Sequence, residues 1–159
     1  MAERRRTFCI ECRKETAYTL HKTSITKIIR KKEYQFLITT AHCKECGCEV
    51  GVKGILDYNA KEIDEQFRKA EGIISLEEIE KLGKIYNLGK APLSIALGFG
   101  EVTITRYLAG QIPSKEHSDI MRAALSDTGV MRRLLEENKD KLAESAYKKG
   151  KSAIEELDA

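Results

Sequence analysis

The sequence predicts an α+β chain, a small β-rich module at the N-terminus joined by a helix to an all-α half. Three observations carry this expectation. Aromatic and β-branched residues alternate with polar ones between two Cys-x-x-Cys pairs, Cys9–Cys12 and Cys43–Cys46. From Ser75 onwards apolar residues recur at helical spacing behind recognisable cap residues. The chain has 159 residues, 42% apolar and 33% charged, with two prolines and no tryptophan; that length holds one domain or two small ones. The expected divisions are 1–57 for the β-rich module, 58–73 for the connecting helix and 74–159 for the helical half.

In the first module, Tyr18 and Leu20 alternate with Thr19, and Tyr34, Phe36 and Ile38 alternate with Gln35 and Leu37. Each Cys-x-x-Cys lets one tight turn aim two thiolates at a single ion. Two such turns complete the four-sulfur shell that structural zinc prefers. Cys9, Cys12, Cys43 and Cys46 are therefore the expected ligands of one structural Zn2+ per chain, and the module is a zinc ribbon. So short a ribbon buries too little apolar surface to fold unaided, so the metal supplies folding free energy. Four thiolates leave no open position for an activated water, and a redox dithiol is the lesser alternative. Cys48 is left over, either a small buried residue or a spare thiol; Cys48, His21 and His42 stand as replacement ligands.

Val50, Val52, Ile55 and Leu56 are expected to finish the ribbon, with a turn at Asp57-Tyr58-Asn59. Asn59 would cap a helix over 60–71 whose stripe of Ile63, Phe67 and Ala70 docks on the ribbon or pairs with its copy in a dimer. Gly72 ends it.

Ser75-Leu-Glu-Glu78 has the form of a capping box and starts a helix carrying Ile79, Leu82 and Ile85. Pro92 suits the first turn of the next, filled by Leu93, Ile95, Ala96 and Leu97. Gly98-Phe99-Gly100 supplies a glycine turn of about three residues, and a third helix covers about 101–109. Two short helices about such a turn form a helix-turn-helix, whose second helix enters the major groove. On it Thr103, Thr105, Arg106 and Gln111 are the polar residues placed to reach double-stranded DNA. Arg106 can fork onto a guanine, Thr103 and Thr105 suit phosphates or a thymine methyl, and Lys90, Arg106 and Lys115 would form a basic rim. Beyond Pro113, further helices are expected from Ser114, from Asp127 or Thr128, and over about 139–157 with Gly150 as a weak point. They close a dimer or complete the monomer's core.

Charge is uneven. Residues 1–35 hold ten Lys/Arg against four Asp/Glu, whereas 75–126 hold six against six; the net formal charge of the chain is +3. A neutral helix-turn-helix must gain affinity by dimerising, and residues 1–35, with the Arg4–Arg6 tail, would meet an acidic partner surface, protein or nucleic acid. No apolar run reaches the length of a bilayer span, and the N-terminal residues lead into no signal-peptide stretch, so no membrane association and a cytoplasmic location, on the nucleoid when DNA-bound, are expected. No nucleophile, phosphate-cradling loop or paired carboxylates mark an enzyme.

The runs ISLEEI (74–79), LGFGEVTITRY (97–107) and GQIPS (110–114), preceded by Cys-x-x-Cys…Cys-x-x-Cys and a connector helix in the same order, resemble MqsA-type (YgiT-type) antitoxins and related zinc-finger regulators. The resemblance spans roughly residues 7–135. It implies a ribbon that binds a toxin or other protein and a homodimeric repressor half that reads a palindromic operator. Arg106 falls on the family's DNA-reading arginine, whereas Val102 stands where the family has a DNA-reading asparagine. Two alternatives of the same architecture stand beside an autoregulating antitoxin: a mobile-element regulator without a toxin, and a protein-binding adaptor whose helix-turn-helix is degenerate.

Overall fold

A long antiparallel hairpin organises the N-terminal part of the chain. The computed structural model describes residues 5–159, and the chain divides into two units between Phe67 and Arg68. Arg4 of the expected basic tail lies outside the described residues.

The first unit holds a four-stranded antiparallel sheet of order β1-β2-β3-β4, built from β1 (Arg6–Cys9), β2 (Lys14–Ile29), β3 (Lys32–Cys43) and β4 (Glu49–Val50). The hairpin runs well past the two short alternating stretches legible in the sequence. Its turn is Arg30-Lys31, both with positive φ (51° and 68°), the two-residue geometry whose twist matches that of the strands it joins. Ile29 faces Lys32 across the turn, and the pairing continues to Tyr18 and Cys43. Antiparallel pairing alternates in direction, so odd-numbered β2 residues bond to β3 while even-numbered ones aim their N–H and C=O away from it.

On β3 the outward groups belong to odd-numbered residues, and side chains of α1 (Ile55–Glu71) meet two of them. Asn59 Oδ1 accepts from Thr39 N–H and Asn59 Nδ2 donates to the Thr39 carbonyl, both at 2.8 Å. Gln66 does the same for Leu37, at 2.9 and 2.8 Å. Two amides seven residues apart on a helix thus stand in for a neighbouring strand along the sheet edge. Phe67 adds an edge-on ring contact with Tyr34 at 5.3 Å, and Tyr34 stacks on the buried Phe36. Docking of this helix on the sheet agrees with expectation. Its start does not: the helix begins at Ile55, after Gly54 (φ 86°), and Asn59 lies inside it. The amide of Asn59 is taken by the sheet edge instead of by a cap. Ala70, expected on the apolar stripe, is exposed.

The second unit is helical: α2 (Leu76–Ile85), α3 (Lys90–Ala96), α4 (Thr103–Leu108), α5 (Lys115–Ser126), α6 (Thr128–Glu137), a 3-10 turn at Lys139–Lys141 and α7 (Glu144–Asp158). Ser75 and Glu78 form a reciprocal capping box on α2. Ser114 caps α5 by accepting from His117 N–H, and Asp127 caps α6 by accepting from Gly129 N–H. Ile74, Ile79, Leu82, Leu93, Ile104, Met121, Met131, Leu135 and Ile154 are buried in one core with Tyr86 and Phe99. The last helix starts later than the periodicity suggests. Asn138 breaks the run by turning its amide onto the carbonyls of Ala96 and Leu134, at 3.1 and 2.9 Å. Gly150 is a contact and not a weak point, because a Cβ there would sit 3.3 Å from Leu135 Cδ2. Its missing side chain allows α7 that close to α6.

Among the described residues no helix is long and apolar enough to cross a membrane.

Asn59→Ala leaves the N–H and C=O of the buried Thr39 without partners, a loss of about 1–3 kcal/mol. Hydrogen exchange at the Thr39 amide should quicken about tenfold or more, while Leu37, still held by Gln66, stays protected. Unchanged exchange at Thr39 would mean that the side-chain pairing contributes nothing.

Candidate functional site

The two Cys-x-x-Cys segments form matching turns. Each is Cys-x-Glu-Cys followed by a residue in the left-handed region, Arg13 (φ 55°) after the first and Gly47 (φ 76°) after the second. In each, that residue's N–H bonds back to the carbonyl of the first cysteine: Arg13 to Cys9 at 2.7 Å and Gly47 to Cys43 at 2.9 Å. The sheet carries the turns to each other, because β1 pairs with the start of β2 and the end of β3 lies opposite Tyr18.

All four sulfurs of Cys9, Cys12, Cys43 and Cys46 lie within 4.8 Å of one another. Cys9 and Cys46 Sγ are 3.5 Å apart and Cys12 and Cys43 Sγ 3.9 Å apart. Four sulfurs at about 2.3 Å from a central ion in a tetrahedron stand about 3.8 Å from each other, so the tetrad can hold a metal ion. The all-thiolate donor set is compatible with structural zinc.

The surroundings of the sulfurs are unequal. Thr16, buried between the turns, places its hydroxyl 3.1 Å from Cys43 Sγ. That bond, helped by the backbone N–H groups of Cys46 and Glu45, pulls the Cys43 thiol down to about 6. Cys12 is pushed the other way, up to about 12, by the neighbouring Cys46 thiol and by burial. At Cys9 the N–H of Cys12 favours the thiolate, but burial and the Cys46 thiol outweigh it and the net shift is upward. Without a cation the cluster therefore offers one ready thiolate, at Cys43, and favours protons on Cys9 and Cys12. A divalent ion would displace them. Thr16 carries no mark in the sequence that distinguishes it from other strand threonines.

Cys48 is exposed and stands outside the tetrad, a spare thiol and not a buried one. His21 and His42 also stand outside it. Their rings meet edge-on at 5.1 Å, His21 Nε2 bonds to Thr19 Oγ1 at 2.8 Å, and His42 bonds to Thr40 Oγ1 and the Gly47 carbonyl. A lysine–glutamate pair, Lys14 to Glu45 at 3.1 Å, links the two turns at the surface.

In the second unit α3 and α4 are tied by one side chain. Ser94, wholly buried, donates to the Lys90 carbonyl and accepts from Ile104 N–H, both at 2.9 Å. The first bond stays within α3; the second satisfies an amide of the first turn of α4, which has no side-chain cap. The intervening segment is longer than the three-residue turn expected, because Glu101 and Val102 lie outside α4. Gly98 (φ 81°) ends α3, with Phe99 N–H returning to the Ser94 carbonyl at 2.8 Å. Phe99 then stacks on His117 at 3.8 Å, and Tyr107 from α4 meets His117 Nδ1 through its hydroxyl at 2.6 Å.

Ile104 and Tyr107 point into the core, leaving Val102, Thr105, Arg106 and Ala109 on one exposed face with Gln111 just beyond. Thr103 is half-buried, so of the expected DNA contacts it is the least accessible. Lys90 is exposed at the start of α3. Lys115 is not free: its ammonium donates to the Gly72 carbonyl at 3.0 Å and pairs with Asp119 at 3.3 Å. The acid cancels much of the charge that would have served a basic rim. Ser94 was missed by sequence reasoning; a serine among Leu93, Ile95 and Ala96 is the only available hint of a buried polar tie.

Neither a scan against protein-family models nor a comparison with curated proteins returns a match to this sequence.

Adding Zn2+ to the reduced, metal-free chain at pH 7.4 should release at least two protons per ion, from Cys9 and Cys12, measurable with a pH indicator in weak buffer. Native mass spectrometry should then show one ion per chain, and Cys43→Ser should abolish it. A chain that stays folded over residues 5–50 after chelation would contradict a structural role for the metal. Independently, Ser94→Ala leaves the buried Ile104 amide unpaired and should cost about 1–3 kcal/mol in thermal or urea unfolding of the helical unit, whereas Ser126→Ala, at an exposed position, should cost under about 0.5 kcal/mol.

Proposed function

We propose that this chain is a sequence-specific double-stranded-DNA-binding transcriptional regulator, an antitoxin-like repressor, with a structural zinc ion in its N-terminal ribbon and α3–α4 as its helix-turn-helix. The observation that carries the reading is the exposed face of α4. A six-residue helix anchored by Ile104, Tyr107 and the Ser94 tie presents Thr105 and Arg106 side by side, with Val102 one turn earlier. A short helix so anchored suits insertion in a major groove. The arginine fork would read guanine O6 and N7, the valine methyls suit a thymine methyl, and Thr105 suits a phosphate. The resemblance of residues 74–114 to MqsA-type antitoxins supports the same assignment.

Electrostatics sets the terms. With six cations against six acids over 75–126, and Lys115 paired, one copy gains little from phosphate neutralisation. The proposed active form is a homodimer whose two α4 helices reach half-sites about 34 Å apart on a palindromic operator. A second reading, a zinc-ribbon adaptor that binds a partner protein, is favoured by the cationic residues 1–35 and by the sheet edge described below.

The DNA upstream of the chain's own gene is the test. Fluorescence anisotropy at moderate salt should show preferential binding over random duplex. Arg106→Ala should weaken the specific complex about 10–100-fold while changing non-specific binding little. If the wild type prefers neither duplex, the repressor reading fails.

A further inference from the structure

The first unit has two sheet edges of unlike fate. On β3 the outward groups of Leu37 and Thr39 are taken by Gln66 and Asn59, and Ala41 pairs with Val50 of β4. Among the described residues β2 has one neighbour besides β3, namely β1, whose register runs from Arg6 opposite Ala17 to Cys9 opposite Lys14; one further bond joins Tyr18 N–H to the Arg5 carbonyl. Among the described residues nothing pairs with β2 beyond that point. The N–H and C=O of Leu20, Lys22, Ser24, Thr26 and Ile28 therefore point outward along a strand edge of nine residues.

Beside this edge lies a groove of about 460 Å³, lined by Tyr18, Leu20, Val52, Ile55 and Tyr58. Leu20 and Tyr58 are among the exposed large apolar side chains, at 41% and 48%. A strand added to the edge would set the residues opposite Leu20 and Lys22 on the face that those side chains occupy, so the side chains at those positions would enter the groove. The other face of the edge carries Lys27, and the tip carries Arg30 and Lys31, all exposed.

We propose that the outer edge of β2 is a docking site for an extended segment of a second protein, in which apolar residues alternate with acidic ones. This deepens the reading that the ribbon meets a partner and rests on the first unit alone, whatever α4 binds. The edge alternates donors and acceptors; a nucleic-acid backbone would leave the carbonyls unpaired, whereas a peptide strand satisfies both. A second copy of this chain would bring a strand that carries Lys22, Lys27, Arg30 and Lys31 and no acid between residues 18 and 31, so charge favours an acidic strand.

The probe is a nine-residue synthetic peptide of alternating valine and glutamate, added to the metal-loaded full chain and followed by residue-resolved hydrogen exchange. The expected result is slowed exchange at the amides of Lys22, Ser24 and Thr26, with Thr23 and Ile25, already bonded to β3, unchanged. Ser24→Pro removes an outward N–H and no bond to β3, so it should weaken peptide binding at least tenfold while metal content and Thr23 protection persist. If that variant does not fold, the peptide methylated at alternate backbone nitrogens serves instead and should fail to bind. The proposal is overturned by no slowing at millimolar peptide, by equal binding to Ser24→Pro or of the methylated peptide, or by tighter binding of a valine–lysine peptide. Self-association of the chain that Ser24→Pro abolishes would overturn it too, by placing a second copy on the edge. DNA binding measured on the same Ser24→Pro variant reports separately on the repressor reading.

Discussion

Four cysteine sulfurs held within 4.8 Å of each other impose the constraint on which the N-terminal unit depends. Such a cluster cannot be fully ionised on its own, since each added thiolate raises the cost of the next. It is also too small a feature to be apolar packing. The buried residues around it, Cys9, Ala41, Cys43 and Val50, make a minor core. A cation at the centre would resolve both problems by turning mutual repulsion into shared attraction. The short strands β1 and β4 each extend from a cysteine turn, four and two residues long, and a cation there would anchor them.

The helical unit is held in the opposite way. Its core is a continuous set of large apolar side chains, and several polar side chains set into it bridge backbone groups. Ser94 serves Lys90 and Ile104, Ser118 Oγ accepts from Ile74 N–H at 2.8 Å, and Asn138 serves Ala96 and Leu134. The Ile104 and Ile74 amides and the Ala96 carbonyl, at a helix end or in a loop, gain in this way a side-chain partner. The exposed face of α4 is thus fixed from behind by packing and by one serine, leaving its outward residues unencumbered.

Much of this was legible in the sequence because the responsible signals are local. The cysteine spacing identified the tetrad, Ser75 and Glu78 marked the start of α2, and helical periodicity placed the core residues Ile79, Leu82 and Leu93. The illegible features depend on distant partners. Arg30-Lys31 adopts a turn that Asn-Gly would have announced, because the long strands on either side impose the geometry on residues that only tolerate it. Asn59 looked like a cap because asparagine competes well for helix termini; its real partner, Thr39, is twenty residues away. Thr16 and Ser94 act on groups that become neighbours only once the chain has folded. Lys115 reads as a free cation in the sequence, but Asp119, one turn on in α5, pairs with it.

The amide pairs of Asn59 and Gln66 have a consequence for how far any strand pairing can spread. A sheet with two bare margins can grow indefinitely, each addition exposing a fresh template. Here one margin is occupied at Leu37 and Thr39 by side chains that no incoming backbone can extend, and the residue spacing of α1 keeps both in place together. Strand addition at Leu37 and Thr39 is therefore closed, and further pairing is directed to the β2 side. The sheet is a one-sided template.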